Sequence, residues 1–346
     1  MKIAVVQMLY RKGHRVLDQG YVRLLSKDHH ITIIDDGKHF PENFCNEIGA
    51  EHYVVHPLMI KRCEFLKRLL HYFNLIVVLL TIKFHKVDCD AMLFVNVHNA
   101  LYFITKLLPR KKIVIFHHED IDAMLEYPKY VNQFDKVKNE LYHICLAGFI
   151  SEGLIKSTGV SPERVYTVYQ PVVFDKQKNN VQKENLLIGI GNSTDESVIE
   201  ALVKQDKHTE SKTVMNRIVM RSRKMEYSGD NVSVISGFLP RDEYELLYDR
   251  AKVSIVTYPS RYKLRYSGII DDSLSKGLIV FANDNPCSNY FASKYPSCVK
   301  IFHNTRELWE MSQDILPIAE QSEIVKFSHL HSLENVRKQL NIVFEA

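Results

Sequence analysis

"VSVISGFLPRDEYELLYDRAKVSIVTYPS", residues 232–260, sets the grammar of the chain. Two largely apolar, β-branched runs, VSVISGF and KVSIVTY, flank a segment that reads as helix. Strands of this kind lack a polar face, so they belong in a parallel sheet covered on both sides, with helices as the crossovers. The same alternation extends outward in both directions. LLIGIG (186–191) and RIVMRS (217–222) precede the stretch, while LIVFAN (278–283) and VKIFH (299–303) follow it.

An earlier series repeats the pattern: KIAVVQM (2–8), HITIID (30–35), AMLFVN (91–96), KIVIFH (112–117), ICLAGF (144–149) and VYTVYQ (165–170). The polar run DKQKNNVQKEN (175–185) separates the two series. They predict an α/β protein of two Rossmann-like, doubly wound domains facing across a cleft. The expected boundaries are a first domain at 1–172, a linker at 173–184 and a second domain at 185–330. A C-terminal helix at 331–346 is expected to pack back on the first domain.

Bulk composition narrows the function classes. The chain has 346 residues, 46% apolar and 25% charged, which suits two soluble domains. A net charge of +4 gives no electrostatic case for nucleic acid. Six scattered cysteines with no C-x-x-C pair argue against a zinc site and suit a reducing cytoplasm. The segment 58–86 departs from this even balance. Lys61, Arg62, Lys67, Arg68, Lys83 and Lys86 stand against Glu64 alone, a net +5. Its apolar centre is shorter than the roughly 20 residues that span a bilayer. It reads as an amphipathic helix for an anionic membrane surface, or as a core-facing helix with a solvated basic face.

In doubly wound sheets ligands bind beyond the carboxyl ends of the strands, so the residues just after each strand are the candidates. After the first strand, Gly13 permits a tight turn, and Arg15 and Gln19 are placed to reach a ligand. No G-x-G-x-x-G is present. After KIVIFH comes the polar cluster His117, His118, Glu119, Asp120 and Asp122, which reads as a site or as helix-capping acids. Gly189 and Gly191 precede NSTDES, where a helix N-terminus can meet phosphate. Arg221 and Arg223 follow one strand, and Arg261, Lys263 and Arg265 follow another, so they can converge on one anion. Ser267 and Gly268 open the helix that carries Asp271 and Asp272.

The chain resembles the retaining two-Rossmann (GT-B) glycosyltransferases, family 4 in particular. The resemblance runs through CLAGFISEGLIKSTGVSPERVYTVYQPV (145–172), the opening stretch, and YSGIIDDSLSKGLIVFAND (266–284). It implies transfer of a sugar from a nucleotide-diphosphate donor, with no cofactor and no metal. Arg221, Arg223, Lys263, Arg265, Ser267 and Gly268 would serve the diphosphate, with Asp271 and Asp272 beside it. Asp272 takes the place of the family's ribose-binding glutamate. The family's first acid falls on Leu264, or on Lys263 in the neighbouring register, so that acid is missing. The family's histidine matches His117 or His118, with His118 favoured because Glu119 follows it; Gly13, Arg15 and Glu119 would line the acceptor side. A lipid-linked glycan acceptor in bacterial surface polysaccharide synthesis would account for the basic 58–86 segment, on a cytoplasmic protein peripheral to the inner membrane face. The alternatives are a non-catalytic partner subunit of the same fold and a metal-dependent GT-A transferase using Asp120 and Asp122.

Overall fold

The computed structural model describes the chain except residues 8–13, 57–63, 96, 174–182, 193, 210–215 and 238, and gives the backbone alone for 64–71. Gly13 and most of the expected 173–184 linker lie outside the described residues. The chain divides into two compact units. The first comprises Met1–Pro171, Leu264–Tyr266 and Leu333–Ala346; the second comprises Val172–Lys263 and Ser267–Ser332.

The first unit carries β1 (Lys2–Gln7), β2 (His30–Asp35), β3 (Glu51–Val54), β4 (Ala91–Val95), β5 (Lys112–His117), β6 (Tyr142–Cys145) and β7 (Val165–Thr167). They form one parallel sheet in the order β3-β2-β1-β4-β5-β6-β7, so the direction of winding reverses between β1 and β4. The second unit carries β8 (Leu186–Gly189), β9 (Arg217–Ser222), β10 (Tyr227–Ser228), β11 (Val232–Ser236), β12 (Val253–Val256), β13 (Ile279–Asn283) and β14 (Val299–Phe302). Their order is β10-β11-β9-β8-β12-β13-β14, with reversal between β8 and β12 and only the two-residue β10 antiparallel.

Burial explains the unbroken apolar runs. In the second sheet Leu187, Ile218, Met220, Ile255 and Phe281 pack in one core cluster, while Leu186, Ile188, Val219 and Leu278 pack in another. Alternate residues of a strand point to opposite faces, and both faces are covered.

The pattern missed two strands and overran others. Glu51–Val54 is an edge strand without a buried residue, so it carries no apolar signal. β10 is too short to show periodicity. The run read as a strand at 144–149 instead ends its strand at Cys145, and a helix begins at Gly148 and runs to Thr158. Leu146 and Ala147 are buried at a strand-to-helix turn, which a hydropathy pattern cannot distinguish from a longer strand.

The C-terminal helix Leu333–Glu345 belongs to the first unit and packs on helix Arg15–Leu25. Val336, Leu340, Val343 and Phe344 are its buried face. Asp28 accepts hydrogen bonds from Arg337 and, at 2.8 Å, from Asn341 Nδ2. Gln339 Oε1 accepts Tyr169 N–H at 3.0 Å, which ties the helix to the chain just after β7. Truncating Leu340, fully buried, to alanine should cost about 2–5 kcal/mol of stability. Arg337→Ala, which breaks an exposed pair, should cost much less. Urea unfolding of the two variants measures this ranking.

Candidate functional site

Each unit places polar side chains beyond the carboxyl ends of its strands. In the first unit the cluster begins at His14, which stands just before helix Arg15–Leu25 in the left-handed region, at φ 61°. Its carbonyl accepts Asp18 N–H at 2.8 Å, starting the helix. One turn in, the Asp18 carboxylate is fully buried between two imidazoles. Oδ1 accepts from His118 Nε2 at 2.9 Å, and Oδ2 from His39 Nε2 at 2.8 Å. Burial by itself would raise the Asp18 pKa, but His118 and His39 outweigh it and the net shift is downward. Burial also dominates at His118, pushing its pKa down. A charged carboxylate thus holds a neutral imidazole by its Nε2–H.

On that ring lies His14, stacked at 4.4 Å between centroids and 8° between planes. His14 Nε2 is 3.3 Å from Glu119 Oε1, and Glu119 Oε2 is 3.3 Å from Arg265 Nη1. The His14 hydrogen bond, ahead of the opposing burial and the Arg265 charge, moves the Glu119 pKa down. Arg265 Nε also lies 3.4 Å from Asp122 Oδ2, and Asp122 Oδ1 accepts Leu264 N–H at 2.9 Å. The Leu264 side chain fills the space over Gly153, where any Cβ would collide with it. Leu264, at the position of the family's first acid, is therefore a packing residue, and Arg265 pairs with two carboxylates of this unit. Arg15 is exposed at the first residue of its helix, while Gln19 Nε2 is spent on His39 O at 2.7 Å.

His117 faces the other way, into the protein. Its Nδ1 meets Asp120 Oδ2 at 2.7 Å and its Nε2 meets His143 Nδ1 at 3.0 Å. His143 Nε2–H donates to Lys138 O at 2.9 Å, so His143 Nδ1 is an acceptor and takes the His117 Nε2 proton. A second proton must then lie between His117 Nδ1 and the Asp120 carboxyl. This buried relay accounts for two of the five polar residues at the end of β5, His117 and Asp120, as interior structure. The acids of the metal alternative are likewise engaged, Asp120 by His117 and Asp122 by Leu264 and Arg265. Among the described residues no group of three His, Cys, Asp or Glu side chains is arranged to hold a metal ion.

The second unit builds its cluster at the reversal between β8 and β12. After β8, Gly191 lies so close to Ile269 that a Cβ would press on the Ile269 side chain. Gly191 O accepts Thr194 Oγ1 at 2.8 Å, Asp195 N–H donates to Thr257 Oγ1 at 3.0 Å, and Asp195 caps helix Glu196–His208. Arg221, at the end of β9, donates to Gly237 O and to Asn192 Oδ1. Ser267 is the buried N-cap of helix Gly268–Ser275: its Oγ accepts Ile270 N–H at 3.2 Å and is 2.7 Å from Tyr258 OH. Ser267 thus takes the Ile270 N–H, and the amides of Gly268 and Ile269 precede the first bonds within the helix, while the Ile269 side chain covers Gly191.

The twin aspartates separate. Asp271 is fully buried, 3.9 Å from His331 Nδ1. Asp272 is exposed as a residue, with Oδ2 3.4 Å from Tyr244 OH. Burial of its carboxylate outweighs the Tyr244 hydrogen bond and the Lys276 charge and moves its pKa up to about 6. Arg223 is drawn to Glu196 at 3.6 Å, with Glu196 also accepting Arg223 N–H, and Lys263 is exposed. Sequence reading passed over His14, Asp18, His39, Asn192, Thr257 and Tyr258. His14 stood in view between Gly13 and Arg15, but its partners lie far along the chain.

The relay gives a pH signature. Burial first, and His117 second, hold the His143 pKa near 3 against an ordinary 6.5. The unfolded imidazole takes up a proton below pH 6.5 that the folded one refuses, so stability should fall as the solution is acidified. Between pH 6.5 and pH 5 the loss should be about 2 kcal/mol from this group. Urea unfolding across that window should show a smaller slope in His143→Gln than in the parent chain.

No protein-family model matches the chain, and no curated protein matches it by sequence. Solved structures do match it over nearly its whole length. HepE of Anabaena, crystallised with UDP, is 11% identical at a TM-score of 0.69, covering 100% of both chains. The lipopolysaccharide outer core galactosyltransferase WaaB is 13% identical at 0.64, covering 99% of each. A glycosyltransferase of Rickettsia africae ESF-5 is 14% identical at 0.62, covering 99% of this chain and 98% of the other. The chain has the two-sheet α/β fold of the GT-B glycosyltransferase structures.

Proposed function

We propose that the protein is a glycosyltransferase that binds a nucleotide-diphosphate sugar in its second unit and transfers the sugar to an acceptor held by its first. The observation that carries this reading is the second unit's strand-end cluster. Helix Gly268–Ser275 starts in the turn after β12 with Ser267 as its buried cap, and the N–H groups of its first turn favour an anion. Arg221 is fixed nearby by Asn192 and supplies a cation. Departure of a nucleoside diphosphate needs that combination of positive charge and fixed dipoles. The fold shared with HepE, solved with UDP and with UDP-glucose, supports the same donor class. Asp272 is our choice for the ribose contact, because it is the exposed member of the aspartate pair.

The acceptor we infer is a lipid-linked glycan of bacterial surface polysaccharide synthesis, met by a cytoplasmic protein at the inner membrane face. Metal-free transfer with retention of configuration follows from the resemblance to family 4. One observation favours a different stereochemistry. His14 with Glu119 behind it has the geometry of a general base and its orienting carboxylate. Such a base would take the acceptor hydroxyl proton as the new C–O bond forms and the bond to the diphosphate breaks, which inverts the anomeric carbon.

UDP, GDP and dTDP should be screened by calorimetry. One of them should bind, and Arg221→Ala should weaken it by about tenfold or more, the usual worth of a charged hydrogen bond. Failure of all three at millimolar concentration would point to a non-catalytic partner subunit instead. NMR of the first-formed product should then decide the anomeric outcome. If inversion is found, His14→Ala should lower kcat by about 10²–10⁴; a retained anomer with kcat intact in that variant removes His14 from the mechanism.

A further inference from the structure

Helix Glu64–Phe84 carries apolar residues on two opposite faces of its described side chains. From Tyr72 onward, where side chains are described, Leu75, Val78 and Ile82 are buried against the first unit. The opposite stripe is formed by Phe73, Ile76, Leu80 and Phe84, spaced three and four residues apart and 55%, 44%, 44% and 78% exposed. A second segment extends the patch, since the Tyr72 ring lies 6.3 Å from that of Phe103, itself exposed, and Leu107 one turn on is 71% exposed. A contiguous outward apolar face on a water-soluble surface needs a partner.

The rim of the patch identifies the partner's chemistry. β4 and β5 pair with Ala91 opposite Lys112, so the chain just before each strand lies at the same edge of the sheet. That edge receives Lys83 and Lys86 from one segment and Lys106, Arg110 and Lys111 from the other, all five exposed. None of the five forms a salt bridge among the described residues. The nearby acids are already engaged: Asp88 pairs with Lys2 Nζ at 2.5 Å, and Asp90 accepts Lys2 N–H at 2.8 Å. Among the described residues no helix is long and apolar enough to cross a membrane.

We infer that this face docks on an anionic lipid bilayer, with Phe73, Ile76, Leu80 and Phe84 entering the headgroup–acyl boundary and the lysine–arginine edge meeting lipid phosphates. Apolar side chains that enter, flanked by cations that stay in the headgroups, form the pattern of interfacial helices. A second copy of this chain is the weaker candidate, because a symmetric contact would bring two segments of net +5 together. The inference rests on the proposed lipid-linked acceptor only for its biological setting; the surface itself is argued from exposure and charge.

Vesicle flotation of the full chain tests it without any activity readout. The chain should float with mixed phosphatidylcholine–phosphatidylglycerol vesicles at low salt, less so at high salt, and poorly with phosphatidylcholine alone. Leu80→Glu and Phe84→Glu should each reduce binding tenfold or more. Lys83→Ala and Lys86→Ala, which leave the apolar stripe intact, should each reduce it about fivefold. Equal flotation with both vesicle types, or variants that bind like the parent, would overturn the proposal. So would sedimentation showing a dimer that Leu80→Glu dissociates in a chain that ignores vesicles, which would give the face to a second copy. Because nucleotide binding is measured separately, a chain that floats but binds no nucleotide keeps this inference and loses the enzymatic one.

Discussion

A parallel sheet covered on both faces has no wet side, so its polar chemistry is confined to the ends of its strands. Both units obey this constraint. The first spends the ends of β1 and β5 on His14, Asp18, His118 and Glu119, and the second spends the ends of β8, β9 and β12 on Gly191, Arg221, Thr257 and Tyr258. The polar clusters of both units are built at those turns. The apolar runs that made the strands legible are thus also the reason the turns between them carry the chemistry.

Within the first unit, the buried charge of Asp18 organises its neighbours. A carboxylate taken fully out of water has to find donors, and His39 and His118 supply them. That fixes which nitrogen of His118 carries a proton and lays a flat neutral ring under His14. Glu119 and Arg265 close the arrangement from the solvent side. The interior relay of Asp120, His117 and His143 runs beside it as a separate network that satisfies its own donors. Two adjacent histidines in one sequence motif therefore serve two different networks, because successive residues at a strand end point to opposite sides.

The second unit solves a different problem. It starts a helix in the turn after β12 and fixes Arg221 at the end of β9, while Asp271 is buried near His331. At the position of the family's first acid, Leu264 packs over Gly153, so a side-chain contact stands there in place of a carboxylate.

The amino-acid sequence by itself determined the two doubly wound sheets, the strand positions to within a few residues and the turns where a site must lie. Those features follow from local hydropathy and backbone preference, which neighbouring residues specify. It failed at Glu51–Val54 and at the Leu146–Gly148 turn, where burial and strand pairing part company. Only the tertiary structure decided which polar residue meets which. Arg265 is taken by Glu119 and Asp122, Asp271 is buried while Asp272 is exposed, and His14 is paired while His117 is internal. A side chain's charge state and reach depend on partners brought from distant parts of the chain, and residue order along the chain does not encode them.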